Sequence, residues 1–68
     1  MEYFDYEEVA REANIPPDKL NVLKKLIREE FPKDQMMYEL HLLRVCMSIK
    51  KGRITIDEAI QPEIAVKQ

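Results

Sequence analysis

The stretch DQMMYELHLLRVCMSIKKG, residues 34–52, carries both ends of a helix in its own letters. Asp34 is a side-chain acceptor placed to cap the first free backbone N–H groups. Lys50 and Lys51 complement the negative end of the helix dipole. Gly52, the only glycine in the chain, stands where a left-handed C-cap belongs. Between these ends, an advance of about 100° per residue sorts the apolar residues into two stripes. Met36, Leu40, Leu43 and Met47 form one; Tyr38, Leu42, Val45 and Ile49 form the other, with Cys46 at its edge. His41, Arg44, Ser48 and Lys51 lie between the stripes on one side, Glu39 and Lys50 on the other. A surface helix needs a single apolar stripe. Two stripes predict a helix covered on two sides, and hence an all-α fold arranged around it.

The chain on either side reads as helix as well. Over residues 5–13, Tyr6, Val9, Ala10 and Ala13 share a face, Asp5 is placed as N-cap and Asn14 as the left-handed residue that closes the helix. A second helix begins near Pro17, since proline suits the first helical position, and Asp18 meets the positive end of its dipole. Leu20, Leu23, Leu26, Ile27 and Phe31 form its apolar face, and Pro32 ends it near Phe31. "TIDE", residues 55–58, is a capping box that predicts a short helix over 56–61, stopped by Pro62. The expected organisation is a single helical domain over residues 1–61, with three main helices and a short fourth, and a C-terminal tail over 62–68.

Composition narrows the classes of function. A chain of 68 residues is one domain, and one that buries only about 60% of the surface of its unfolded form. Small domains of this kind are completed by disulfides, a structural metal or a partner. One cysteine, Cys46, and one histidine, His41, supply neither a disulfide nor a zinc site. Association therefore becomes the expectation, as a homo-oligomer with a dimer favoured. Eleven basic residues against thirteen acidic give a net charge of −2, which disfavours nucleic acid as the partner. No segment has the roughly 20 apolar residues of a membrane span, the opening MEYFDYEE is acidic where a leader peptide is basic, and a lone cysteine suits a reducing, cytoplasmic setting.

A second stretch, VAREANIPPDKL at residues 9–20, bears on function. Ala10 is small enough for two helices to cross closely, Asn14 supplies the turn, and Val9, Ala13, Ile15, Leu20 and Leu23 are apolar at the remaining corner positions. In this it resembles the helix-turn-helix motif of bacterial regulators over about fifteen residues. That resemblance implies a DNA-binding transcriptional regulator using residues 9–25, with Lys19, Asn21, Lys24 and Lys25 as the donors nearest the start of the reading helix. The outward positions Pro16, Pro17, Asp18, Asn21 and Val22 contain one good base reader, Asn21. Glu29 and Glu30 counter the nearby cations. The residues themselves read better as a structural corner, which leaves DNA binding as the alternative.

No constellation for catalysis emerges. His41 has no carboxylate one helical turn away to orient it, since Met37 and Val45 occupy those positions. Cys46 between Val45 and Met47 reads as a small core residue, and Glu7, Glu8 and Glu12 as a solvated face. The expected role is a cytoplasmic protein-interaction or oligomerisation module, of the kind that serves as a regulatory subunit, with no catalysis, metal or cofactor. Its interface is expected at Tyr38, Leu42, Val45 and Ile49, where a tyrosine ring is buried and its hydroxyl left wet. Met36, Leu40, Leu43 and Met47 are expected to face the chain's own first two helices.

Overall fold

The computed structural model describes residues 3–60. It contains four helices, α1 (Tyr6–Glu12), α2 (Pro17–Glu30), α3 (Gln35–Lys50) and α4 (Ile56–Ala59), with no strand among the described residues. The expected all-α class is therefore correct, and each boundary follows from local chemistry. The Asp5 carboxylate accepts the N–H of Glu8 at 3.2 Å, and that of Asp34 accepts the N–H of Met37 at 3.1 Å. Pro17 is the first residue of α2. The α4 capping box closes in both directions, from Glu58 N–H to the Thr55 hydroxyl at 3.1 Å and from Thr55 N–H to the Glu58 carboxylate at 2.9 Å. Of the expected fourth helix, Ile56–Ala59 is helical and Ile60 is its C-cap; Gln61 and the 62–68 tail lie outside the described residues.

Two helix ends use the same device. After α1, Asn14 at φ 61° donates to the carbonyl of Arg11, and Ile15 donates to that of Ala10. After α3, Gly52 at φ 81° donates to Ile49, and Arg53 to Ser48. Both are Schellman closures, in which a left-handed residue lets two trailing N–H groups satisfy carbonyls that the helix leaves free. At the first of them Ala10 and Ile15 are both buried, so this corner belongs to the core.

α3 is the helix against which α1 and α2 pack. The core consists of Tyr6 and Ala10 from α1, Ile15 from the corner, Leu23 and Ile27 from α2, and Tyr38, Leu42 and Cys46 from α3. Val9, Leu20, Phe31, Val45, Ile49 and the α4 residues Ile56 and Ala59 pack around its edge. Two ion pairs join helices across the surface: Lys50 to Glu12 at 2.6 Å, and Lys19 to Asp57 at 2.7 Å.

This packing reverses the expected orientation of α3. Leu42 is 0% exposed and Tyr38 7%, so these two are taken up by the chain's own core and are closed to a partner. Val45 and Ile49 are half-buried against the same cluster. The opposite stripe is the one left in solvent, with Met36 49% and Met47 38% exposed. The inner face carries Leu42 and Cys46, both fully enclosed, and Arg28 adds to it, its guanidinium 3.7 Å from the centre of the Tyr38 ring. A cation over the ring face satisfies the tyrosine from within the chain.

Glu39, expected between the two stripes beside Lys50, is also wholly buried. One carboxylate oxygen accepts the backbone N–H groups of Tyr3 and, at 2.9 Å, Phe4; the other accepts the Gln35 amide. The Gln35 carbonyl in turn accepts from Arg28 at 2.6 Å, and Arg28 also donates to the carbonyl of Phe31 at 3.2 Å. One chain of hydrogen bonds thus links the residues ahead of α1, the first turns of α3 and the end of α2. Burial alone would raise the pKa of Glu39. The bonds from Gln35 and from the Phe4 and Tyr3 amides outweigh it and hold the carboxyl below its ordinary value.

Candidate interaction face

Leu42 and Cys46 anchor the inner side of α3, and α1 and α2 cover its flanks. What remains outside is an arc running through Met36, Leu40 and Met47, with Arg44 exposed beside it and Leu43 half-buried at its edge. Leu43 reaches the core cluster, whereas Leu40 is half-buried outside it. Other large apolar residues are exposed, notably Tyr3 and Val22, but each lies on a different segment. Single exposed hydrophobics are ordinary on a protein surface; several in line on one helix are less so. Thioether side chains suit such a ridge because they are flexible and polarizable and adapt to the shape that meets them.

The donors proposed for DNA do not form one free set. The Lys19 ammonium is bonded to Asp57, and that hydrogen bond, with the attraction between the charges, raises its pKa. Lys24 lies 5.7 Å from the centre of the Tyr6 ring. Asn21 and Lys25 are exposed. Lys24, Lys25 and Arg28 line an open groove floored by Tyr38, but Glu29 shares it and Arg28 is committed to Phe31 and Gln35. The corner itself has the left-handed Asn14 and the buried Ala10 that the resemblance asks for.

The two residues with reactive side chains are both engaged in packing. His41 Nδ1 is 3.3 Å from the carbonyl of Met37, and its ring meets Phe31 with centroids 4.5 Å apart. Cys46 is fully enclosed, and burial pushes its thiol up to about 11, which leaves almost no thiolate at neutral pH. Among the described residues, no group of three or more His, Cys, Asp or Glu side chains is placed to hold a metal ion, and no helix is long and apolar enough to cross a membrane.

Compared with known protein families, curated proteins and solved structures, the chain matches none. Its function has to be argued from its own surface.

Sequence reasoning missed two features here, the buried role of Glu39 and the outward turn of the methionine stripe. For the second a signal was available. Cysteine is among the residue types most often found fully buried, and Cys46 borders the Tyr38–Leu42 stripe. Arg44, which must reach water, borders the other.

Proposed function

We propose that this chain is a protein-interaction module that docks another helix on the outward ridge of α3, with Leu40 at the centre of the contact and Met36 and Met47 at its ends. The observation that carries the reading is the exposure of Met36 and Met47, 49% and 38%, in line with Leu40 on a single helix. Fully burying a large apolar side chain is worth about 1.5–3 kcal/mol, so a partner that covers this ridge gains several such increments. No catalysis is assigned to the chain. A buried, unpaired cysteine fits a reducing, cytoplasmic setting.

The test is a photo-crosslinking residue placed at Leu40 in living cells, with Asn21 on α2 as the control position. Docking on α3 predicts covalent protein adducts from position 40 and few from position 21. Absence of any protein adduct at 40 would sink the reading.

The second reading, DNA binding through α2, is favoured by the corner geometry at Ala10 and Asn14. It predicts that neutralising Lys24 and Lys25 flattens the salt dependence of duplex binding by about one unit of slope per lost phosphate contact. A complex with duplex DNA that ignored these changes would remove α2 from consideration.

A further inference from the structure

Tyr38 is only 7% exposed, yet its hydroxyl has no hydrogen-bond partner among the described residues. No fully buried side-chain polar atom among them lacks a partner, so this oxygen keeps contact with water. Tyr38 floors an open groove of about 410 Å³ between α2 and α3, whose other walls are Lys24, Lys25, Arg28 and Glu29. A hydroxyl left unbonded at the mouth of such a groove is a donor held for something outside the chain.

The groove is cationic in a chain whose net charge is −2. Lys24 and Arg28 are one turn apart on α2 with Lys25 beside them, a grouping of like charges that costs a helix stability. Neither lysine forms an ion pair among the described residues, whereas Arg11, Lys19 and Lys50 each have a carboxylate partner. Two aromatic rings set the positions of the cations, Tyr38 beneath Arg28 at 3.7 Å and Tyr6 beneath Lys24 at 5.7 Å. Arg28 gives one N–H to Phe31 and one to Gln35. Five N–H groups less these two leave three donors on a guanidinium whose plane is already fixed. Glu39, behind Gln35, has both oxygens taken by Tyr3, Phe4 and Gln35. Three positive charges against the single carboxylate on the rim, Glu29, leave two, which a phosphate monoester dianion neutralises. A carboxylate or a sulfonate supplies half of that. An extended polyanion supplies more, but Asp18 and Glu29 stand seven residues before and four after Lys25, in line with it on the helix, and would repel it at both sides.

We infer that the groove between α2 and α3 is a binding site for a compact phosphate monoester, its phosphate held by Lys24, Lys25, the free donors of Arg28 and the Tyr38 hydroxyl. The fork of Arg28 matches two phosphate oxygens at once, and the ammonium groups supply charge without fixed direction. The volume lies within the range of small-molecule sites. Tyr38 belongs to the opposite side of α3 from Met36 and Met47, so this site and the docking reading stand or fall separately.

Phenyl phosphate is the probe, titrated into the full chain at low ionic strength and followed by nuclear magnetic resonance, arginine side chains included. Saturable shifts should centre on the Arg28 Nε–H and the backbone amides of residues 24–29, complete within the millimolar range. Benzenesulfonate, with the same ring and half the charge, should bind severalfold more weakly. Tyr38→Phe keeps the ring beneath Arg28 and should weaken phenyl phosphate severalfold, as should Lys25→Gln. Glu29→Gln should tighten it severalfold, a gain that a purely structural role for these residues does not give. Should the Tyr38 variant unfold, the other two, both at exposed positions, decide. No saturation, equal affinity for benzenesulfonate, or indifference to Glu29→Gln would overturn the inference. A DNA duplex that shifts the same resonances at lower concentration than phenyl phosphate would replace the compact ligand with an extended one.

Discussion

The two faces of α3 are not divided by hydrophobicity alone. The inner face contains a carboxylate, Glu39, and an arginine-capped tyrosine, Tyr38, yet both are removed from water. The outer face carries two thioethers and a leucine and keeps them in contact with it. A polar group is buried at little cost when its hydrogen bonds are all met inside, and Glu39 uses both of its oxygens. Which face of a helix turns inward is therefore set by what the rest of the chain can satisfy as well as by apolar content.

That contrast is most easily broken at its centre. Leu42→Ala removes a fully buried side chain and should cost about 2–5 kcal/mol, comparable to the whole stability of a domain this small. Urea denaturation followed by circular dichroism should find the variant largely unfolded; a loss below about 1 kcal/mol would place Leu42 outside the core.

Glu39→Ala comes next, since it strands the amides of Tyr3 and Phe4. Hydrogen bonds to a charged group are worth about 1.5–3 kcal/mol, and a thermal or urea midpoint should fall accordingly. The pH dependence follows from the lowered pKa of this carboxyl. Its stabilising contribution is complete above the ordinary value of 4.5 and is lost as the pH drops through the lower value it has in the folded chain. Glu39→Gln should flatten that acid limb of the stability curve. An unchanged limb would assign it to other carboxylates, with Glu12, whose pKa is lowered by its bond to Lys50, the first to examine.

Smaller effects belong to the helix ends. Gly52→Ala should cost about 1 kcal/mol, all of it from the left-handed backbone at φ 81°, because an added methyl group meets nothing within 4 Å. A Gly52→Asn variant should recover part of this loss, as Asn14 occupies the equivalent place after α1. Equal losses for both would argue against backbone conformation as the cause.

The smallest effect sharpens the comparison. Met47→Gln on the outer face should move the midpoint by no more than about 0.5 kcal/mol in dilute solution. A larger loss there would mean that Met47 contributes to the subunit's own core.

The helix ends were legible in the sequence because their chemistry is short-range. Asp5, Asp34 and Thr55 each bond to an amide three residues on, and Asn14 and Gly52 act through their own backbone angles. The direction of α3 was not legible, because both of its stripes are apolar and the choice depends on partners far along the chain. The amides that receive Glu39 lie 36 and 35 residues away, and every residue type except proline offers such an amide. Arg28 and Tyr38 likewise meet only once α2 and α3 have packed. For the candidate site the spacing of Met36, Leu40, Leu43 and Met47 was readable, and its exposure was not.

The enclosure of Cys46 also makes the molecule its own stopwatch. A thiol with no exposed surface reacts with an alkylating reagent only during moments when the core opens, so the labelling rate counts those openings. The side chain belongs to the core cluster that α1, α2 and α3 build together, and the clock needs no engineered label. It would time the loosening of that core when the outer ridge is bare, and again when something covers it.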